Sequence, residues 1–237
     1  MKTRILFTML MAFLFCISSY AQKTYAIITG VSNYEGSSND LTQSTKDAKN
    51  LAMLYKSKGA TVILLTSKHA TRDNVVAAIR KVQKVASVND CIVFSYSGHG
   101  IENRMCTYAS DASQMLSYGD LFRELNECKA QRIVCYIDAC FSGTAVRGLQ
   151  KGNSRFVVYL SSRSDETSAE NPFVGSGFLT NAVLKGLRGK ADTDADKNVT
   201  VMELFKYIHK DVLLHNKKQH PQLVTSKTLY DKVLMNW

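Results

Sequence analysis

Short apolar runs alternate with amphipathic helical stripes along this chain, and that alternation restricts it to few folds. Tyr25 to Val31, Thr61 to Leu65, Cys91 to Tyr96, Ile133 to Ile137 and Phe156 to Leu160 each have the length and composition of a buried strand. Between the first two, Ala48, Leu51, Ala52 and Tyr55 recur at helical spacing, and Gly59 ends the stripe. Val75, Ala78, Ile79, Val82 and Ala86 form the next one, opened by Thr71. Further helices are predicted from about Ser117, a candidate N-cap, to Cys128, around Phe178–Leu187, and over Val201–His215. The tail after Pro221 supplies one more strand. Strand and helix in this order predict an α/β protein with a mainly parallel central sheet of about six strands and helices on both faces. A hydrophobic fraction of 45% and only 2 Pro fit a packed core, not a disordered chain.

The first twenty-one residues read differently. Lys2 and Arg4 precede an almost wholly apolar Ile5 to Ile17, and Ser19-Tyr20-Ala21 offers small residues at a cleavage site. This is the pattern of a secretory signal peptide, 1–21, leaving one domain over 22–237. The apolar run is short of the ~20 residues a membrane span needs. Beyond this segment no membrane association is expected. The 30 basic and 20 acidic residues interleave without an arginine-rich run, so a basic soluble surface is expected and not a nucleic-acid site. Five of the 6 cysteines follow the signal, an odd number that leaves a free thiol. Cys91 and Cys135 sit in apolar runs; Cys106 and Cys128 could pair; Cys140 stands among polar and glycine residues.

Two polar motifs fall directly after predicted strands: Ser97-Gly98-His99-Gly100 and Asp138-Ala139-Cys140. In a parallel sheet the crevice outside the strand C-termini is where ligands bind. His99 and Cys140 are therefore expected to meet in one cleft, as base and nucleophile respectively. A free thiol is mostly protonated at neutral pH, and an imidazole within reach supplies the thiolate or protonates a leaving amine. Glycines beside both residues permit close approach of a substrate, and the amides of Gly100 and Cys140 are candidate oxyanion donors.

Tyr96-Ser97-Gly98-His99-Gly100 and Asp138-Ala139-Cys140-Phe141-Ser142-Gly143 resemble the histidine and cysteine motifs of the caspase and metacaspase superfamily of cysteine peptidases. Tyr25–Asn33, Asp47-Ala48, Thr167-Ser168-Ala169, Gly177-Phe178-Leu179-Thr180 and Gln219-His220-Pro221-Gln222 extend the resemblance, the last two toward bacterial members. It implies a three-layer αβα caspase-haemoglobinase-like fold, a Cys140–His99 endopeptidase acting on polypeptides without an organic cofactor, and, with the leader, export from a bacterial cell to the periplasm or beyond. The alternative is a catalytically silent binding module; intact Cys140 and His99 count against it. Animal caspases carry Gln two residues before the nucleophile, where this chain has Asp138. In metacaspases the matching Asp, another near the first helix and the Ser two before the His line an acidic pocket. Here those positions are Asp138, Asp47 and Ser97, which implies cleavage after Arg or Lys. Asp47 also fits the ordinary role of an acid in a helix's first turn. The polar, basic stretch Thr144 to Ser154 resembles a self-processing linker, with Arg147, Lys151 and nearby Arg155 as cleavage points.

Asp192, Asp194, Asp196, Asn198 and Glu203 have the spacing of an EF-hand-like loop that could hold Ca²⁺. Lys197 stands where that loop ordinarily has Gly, and Thr200 with Glu203 equally forms a helix capping box. Gly30-Val31-Ser32-Asn33 carries neither the dinucleotide glycine pattern nor a P-loop, which argues against a nucleotide-binding domain.

Overall fold

The structure, a computed structural model, describes residues 22–36, 39–109, 111–149, 154–168, 170–171 (backbone) and 176–237. The expected signal peptide and Lys151 lie outside the described residues. Six strands form the central sheet: β1 Thr24–Gly30, β2 Thr61–Thr66, β3 Cys91–Ser97, β4 Arg132–Asp138, β5 Phe156–Leu160 and β6 Gln222–Thr225. Their order is β6-β5-β4-β3-β1-β2. All neighbours run parallel except β6, which is antiparallel to β5. The predicted strands therefore stand within a residue of their observed ends.

Among the described residues five α-helices cover the faces: α1 Ser44–Ser57, α2 Arg72–Gln83, α3 Tyr118–Asn126, α4 Phe178–Lys185 and α5 Val201–His215. Alternating strand residues point to opposite faces and so divide the core in two. Ile27, Phe94, Ile133 and Cys135 pack with Val75, Ile79, Leu121 and Leu125 of α2 and α3. Ala26, Ile28, Val93, Tyr136 and Tyr159 pack with Leu51, Leu179, Leu204 and Ile208 of α1, α4 and α5. The result is the expected three-layer αβα sandwich. Thr71 and Ser117 cap α2 and α3 through their hydroxyls, as their positions in the sequence predicted. Cys106 and Cys128 are free, buried thiols and do not pair.

The described first part of the basic linker is folded. Ser142–Gly148 forms a 3₁₀ helix, and Arg147 pairs with Glu102 at 2.6 Å. Arg155 spends its guanidinium on the end of α3, donating to the carbonyls of Asn126, Cys128 and Ala130 at 2.8–2.9 Å. Arg155 thus clasps the end of α3.

Small strands outside the sheet were not legible as strands. Gly100–Ile101, Arg104–Met105 and Leu116–Ser117 form one ladder, and Asn198–Thr200 pairs with Val233–Asn236. Among the described residues no helix is long and apolar enough to cross a membrane.

Candidate active site

The chain reverses direction across the sheet at β1, which is flanked by β2 and β3, and the site opens beyond the strand ends there. Register explains why His99 and Cys140 converge. Ser97, last in β3, pairs with Asp138, last in β4. Each chemical residue lies two positions past its strand end, so the two leave the sheet side by side. Both line one pocket of about 160 Å³, together with Ser97, Asp138, Ser168 and Gly177.

His99 is fixed from several directions. Its amide donates to the Tyr34 hydroxyl at 2.7 Å, and its carbonyl accepts from the Tyr96 hydroxyl at 2.7 Å. Tyr34 also lies against the imidazole, ring centroids 5.0 Å apart. Nε2 faces the Asn39 carbonyl at 2.8 Å, which makes it the protonated nitrogen when the ring is neutral. Tyr34 and Asn39 belong to the connection after β1 and were not singled out from sequence.

Cys140 is held at a turn. Phe141 adopts left-handed dihedrals, φ 53° and ψ 22°, and its amide donates to the Glu166 carbonyl at 2.8 Å. An aromatic residue rarely adopts this conformation; here it swings the chain out of β4 and leaves the thiol at the pocket. Gly100 lies directly against this turn. A Cβ there would stand 2.4 Å from the Cys140 carbonyl oxygen, so any other residue would push the two strand ends apart. Among the described residues the thiol's hydrogen-bond partner is the main chain of Ser168, not the imidazole. The Ser168 amide donates to Sγ at 3.3 Å, and Sγ lies 3.4 Å from the Ser168 carbonyl. Apo cysteine–histidine sites often tighten only with substrate bound.

Two carboxylates close the floor. Asp138 is 6% exposed; it accepts from the Ser168 hydroxyl at 3.0 Å and from the Thr180 amide and hydroxyl at 2.9 Å each. Asp47 is fully buried, one layer further in, and accepts from Ser176 Oγ at 2.5 Å, Gly177 N at 2.9 Å and Ser97 Oγ at 3.3 Å. Its place in the first turn of α1 is thus a packing position, not the exposed dipole role. Burial pushes its carboxyl up; the Ser176 bond draws it down, and the charge of Asp138 adds to the rise, which ends at about 7. Gly177 sits between the two acids: a Cβ would stand 2.5 Å from Asp138 Oδ2 and 3.3 Å from Asp47 Oδ2. Gly177 therefore packs closely against both carboxylates, and any larger residue would displace them.

The acidic loop lies far along the chain from this pocket and divides in two. Asp192, Asp194 and Asp196 each bring one oxygen to within 4.8 Å of the others. Lys197 takes φ 65°, the conformation Gly supplies in an EF-hand. Glu203 is turned away to the capping box, accepting from Thr200 N at 3.0 Å and from Thr193 N at 2.9 Å. Asn198 is engaged with Asp196. Trp237 Nε1 donates to Asp192 at 3.0 Å.

A mainly parallel αβα sandwich with a thiol and an imidazole at neighbouring strand ends matches the caspase-haemoglobinase class of fold. A family model for the caspase domain matches residues 23–233, and the chain belongs to that family. Metacaspase-1 of Meyerozyma guilliermondii is 30% identical over 191 residues, covering 76% of this chain and 44% of the relative. Metacaspase-1 of Scheffersomyces stipitis is 29% identical over 181 residues, covering 72% and 42%. The chain therefore spans less than half the length of these curated relatives. Among solved structures, caspase-1 of Spodoptera frugiperda superposes with a TM-score of 0.69 at 17% identity, covering 90% of this chain and 89% of that one. A Geobacter sulfurreducens protein gives 0.68 at 18%, covering 90% and 98%. At those identities the likeness concerns the fold alone.

Proposed function

We propose that this protein is a cysteine endopeptidase that cleaves polypeptides after Arg or Lys, with Cys140 as nucleophile and His99 as acid–base partner. The observation that carries the reading is an acid pair at the pocket that holds the thiol: Asp138 lines it, and Asp47 lies buried behind it across Gly177. A guanidinium or ammonium entering there satisfies carboxylates that are otherwise desolvated, and an acidic side chain would be repelled. The imidazole takes the Sγ proton, and Sγ attacks the scissile carbonyl carbon while the amides of Gly100 and Cys140 receive the developing oxyanion. The carbon–nitrogen bond then breaks, the imidazole protonates the leaving amine, and water hydrolyses the thioester. Family membership supports the reaction class; the acid pair supports the specificity.

The test is a peptide panel differing only at the residue before the cut, run beside Cys140→Ala. Cleavage after Arg and Lys that disappears in the variant is expected. Faster cleavage after Asp would reject the specificity, and no cleavage of any peptide would favour a silent binding module. Export from a bacterial cell remains part of the proposal, resting on the Lys2–Ala21 pattern; a mature chain starting at Gln22 is the expected product.

A further inference from the structure

The segment entering β6 touches the site through two side chains, neither of which takes part in the proposed chemistry. β5 and β6 are antiparallel neighbours, with Leu160 opposite Gln222. The loop leaving β5 and the chain entering β6 therefore meet at the same end of the sheet, beside Cys140. His220 grips that loop at Glu166. Its amide donates to Oε2 at 2.9 Å, and Nδ1 lies 2.7 Å from Oε1. The Arg163 amide adds a bond to Oε2 at 3.2 Å. Gln219, fully buried, grips the loop at a second point. Its amide nitrogen donates to Ser168 Oγ at 3.3 Å, and its oxygen accepts from Asn216 at 3.4 Å.

Both gripped residues bear on the catalytic groups. The Glu166 carbonyl receives the Phe141 amide, the residue whose left-handed turn projects Cys140. Ser168 contacts the thiol with its main chain and Asp138 with its hydroxyl. One short loop thus connects the nucleophile and the pocket acid to a single dipeptide near the end of the chain.

We propose that Gln219 and His220 are positioning residues that set the exposure of the Cys140 thiol and the orientation of Asp138 through Ser168 and Glu166. The part concerning Asp138 rests on the peptidase reading above; the part concerning the thiol does not. Ser168 both donates to and accepts from the sulfur, so the clamp holds main chain against one side of the partly exposed Sγ until substrate displaces it. Releasing the clamp uncovers the thiol but lets the pocket acid drift. One hydrogen bond to a charged group is worth about a tenfold change in such rates.

The experiment compares wild type with His220→Ala, His220→Asn and Gln219→Leu in the full chain. Asn keeps an N–H close to the place of Nδ1. The first readout is the rate of Cys140 alkylation by iodoacetamide, measured by peptide mass analysis, which requires no peptidase activity. It is expected to rise about tenfold in His220→Ala and Gln219→Leu and to return to the wild-type value in His220→Asn. The second readout is kcat and KM on an arginyl substrate: kcat/KM falls about tenfold in the first two and recovers in His220→Asn. Alkylation rates unchanged or lowered in both releasing variants overturn the clamp, even if their melting temperatures fall, because a purely structural role would move stability alone. A wild type that cleaves nothing, with the alkylation pattern intact, rejects the peptidase reading and leaves the clamp standing.

Discussion

Replacing Asp47 by Asn should make the protein more stable at high pH and worse at its proposed task. The carboxyl is fully buried, and its proton affinity rises from the ordinary 3.8 to about 7, first through burial. Ionising it therefore costs about 4 kcal/mol more in the folded chain than in the unfolded one. The sign follows from proton counts. Between those two values the unfolded chain has released the proton and the folded chain still holds it, so wild-type stability falls as pH rises across that window and is flat above it. Asn has no such dependence. Its amide nitrogen can face Ser176 Oγ while its oxygen keeps the Gly177 amide, at a cost of about 1 kcal/mol for imperfect pairing. Asp47→Asn should then be about 1 kcal/mol less stable than wild type near pH 4 and about 3 kcal/mol more stable near pH 8. Urea unfolding at both pH values, in a Cys140→Ala background that prevents self-digestion, measures the difference. A stability gap independent of pH would refute the reasoning, because it would mean Asp47 ionises freely in the folded state.

Other outcomes follow from the same geometry. Binding of an arginyl ligand should strengthen as pH rises through about 7, because Asp47 attracts a guanidinium only once ionised; calorimetry in buffers of different ionisation heat should register the released proton. Gly177→Ala should abolish arginyl binding and lower stability, since its Cβ would meet Asp138 Oδ2 at 2.5 Å; unaltered KM would contradict the placement of the pocket. Thr200→Ala should cost about 1 kcal/mol by opening the cap of α5. Glu203 binds its proton only at about 2, burial being outweighed by the bonds from Thr193 and Thr200. Its contribution should be complete above the ordinary 4.5 and vanish as pH falls toward 2, which denaturation of Glu203→Gln against wild type would follow.

The strands and helices of the sandwich were legible because their signals are local. Phe156–Leu160 and Val201–His215 begin and end in the structure at the residues the apolar pattern indicated. Thr71 and Ser117 announced helix starts because a hydroxyl cap acts within one turn. The convergence of His99 and Cys140 followed from a topological rule, their place after neighbouring parallel strands. Tyr34, Asn39 and Gln219 were opaque as site residues, since nothing in their own neighbourhood reports a partner tens of residues away. The segments around Ser168, Gly177 and Gln219 were visible as family-like words, but without a role.

The order of apolar and polar residues by itself settled the layers, the sheet and the strand ends carrying the thiol and imidazole, because periodicity and turn chemistry depend on adjacent residues. It could not say that Asp47 is buried against Ser176 and Gly177, or that Arg155 clasps α3. Nor could it show that Ser168, ahead of His99, is the thiol's hydrogen-bond partner. Those facts were decided by tertiary packing, which joins groups far apart in the chain and sets how strongly each is cut off from water.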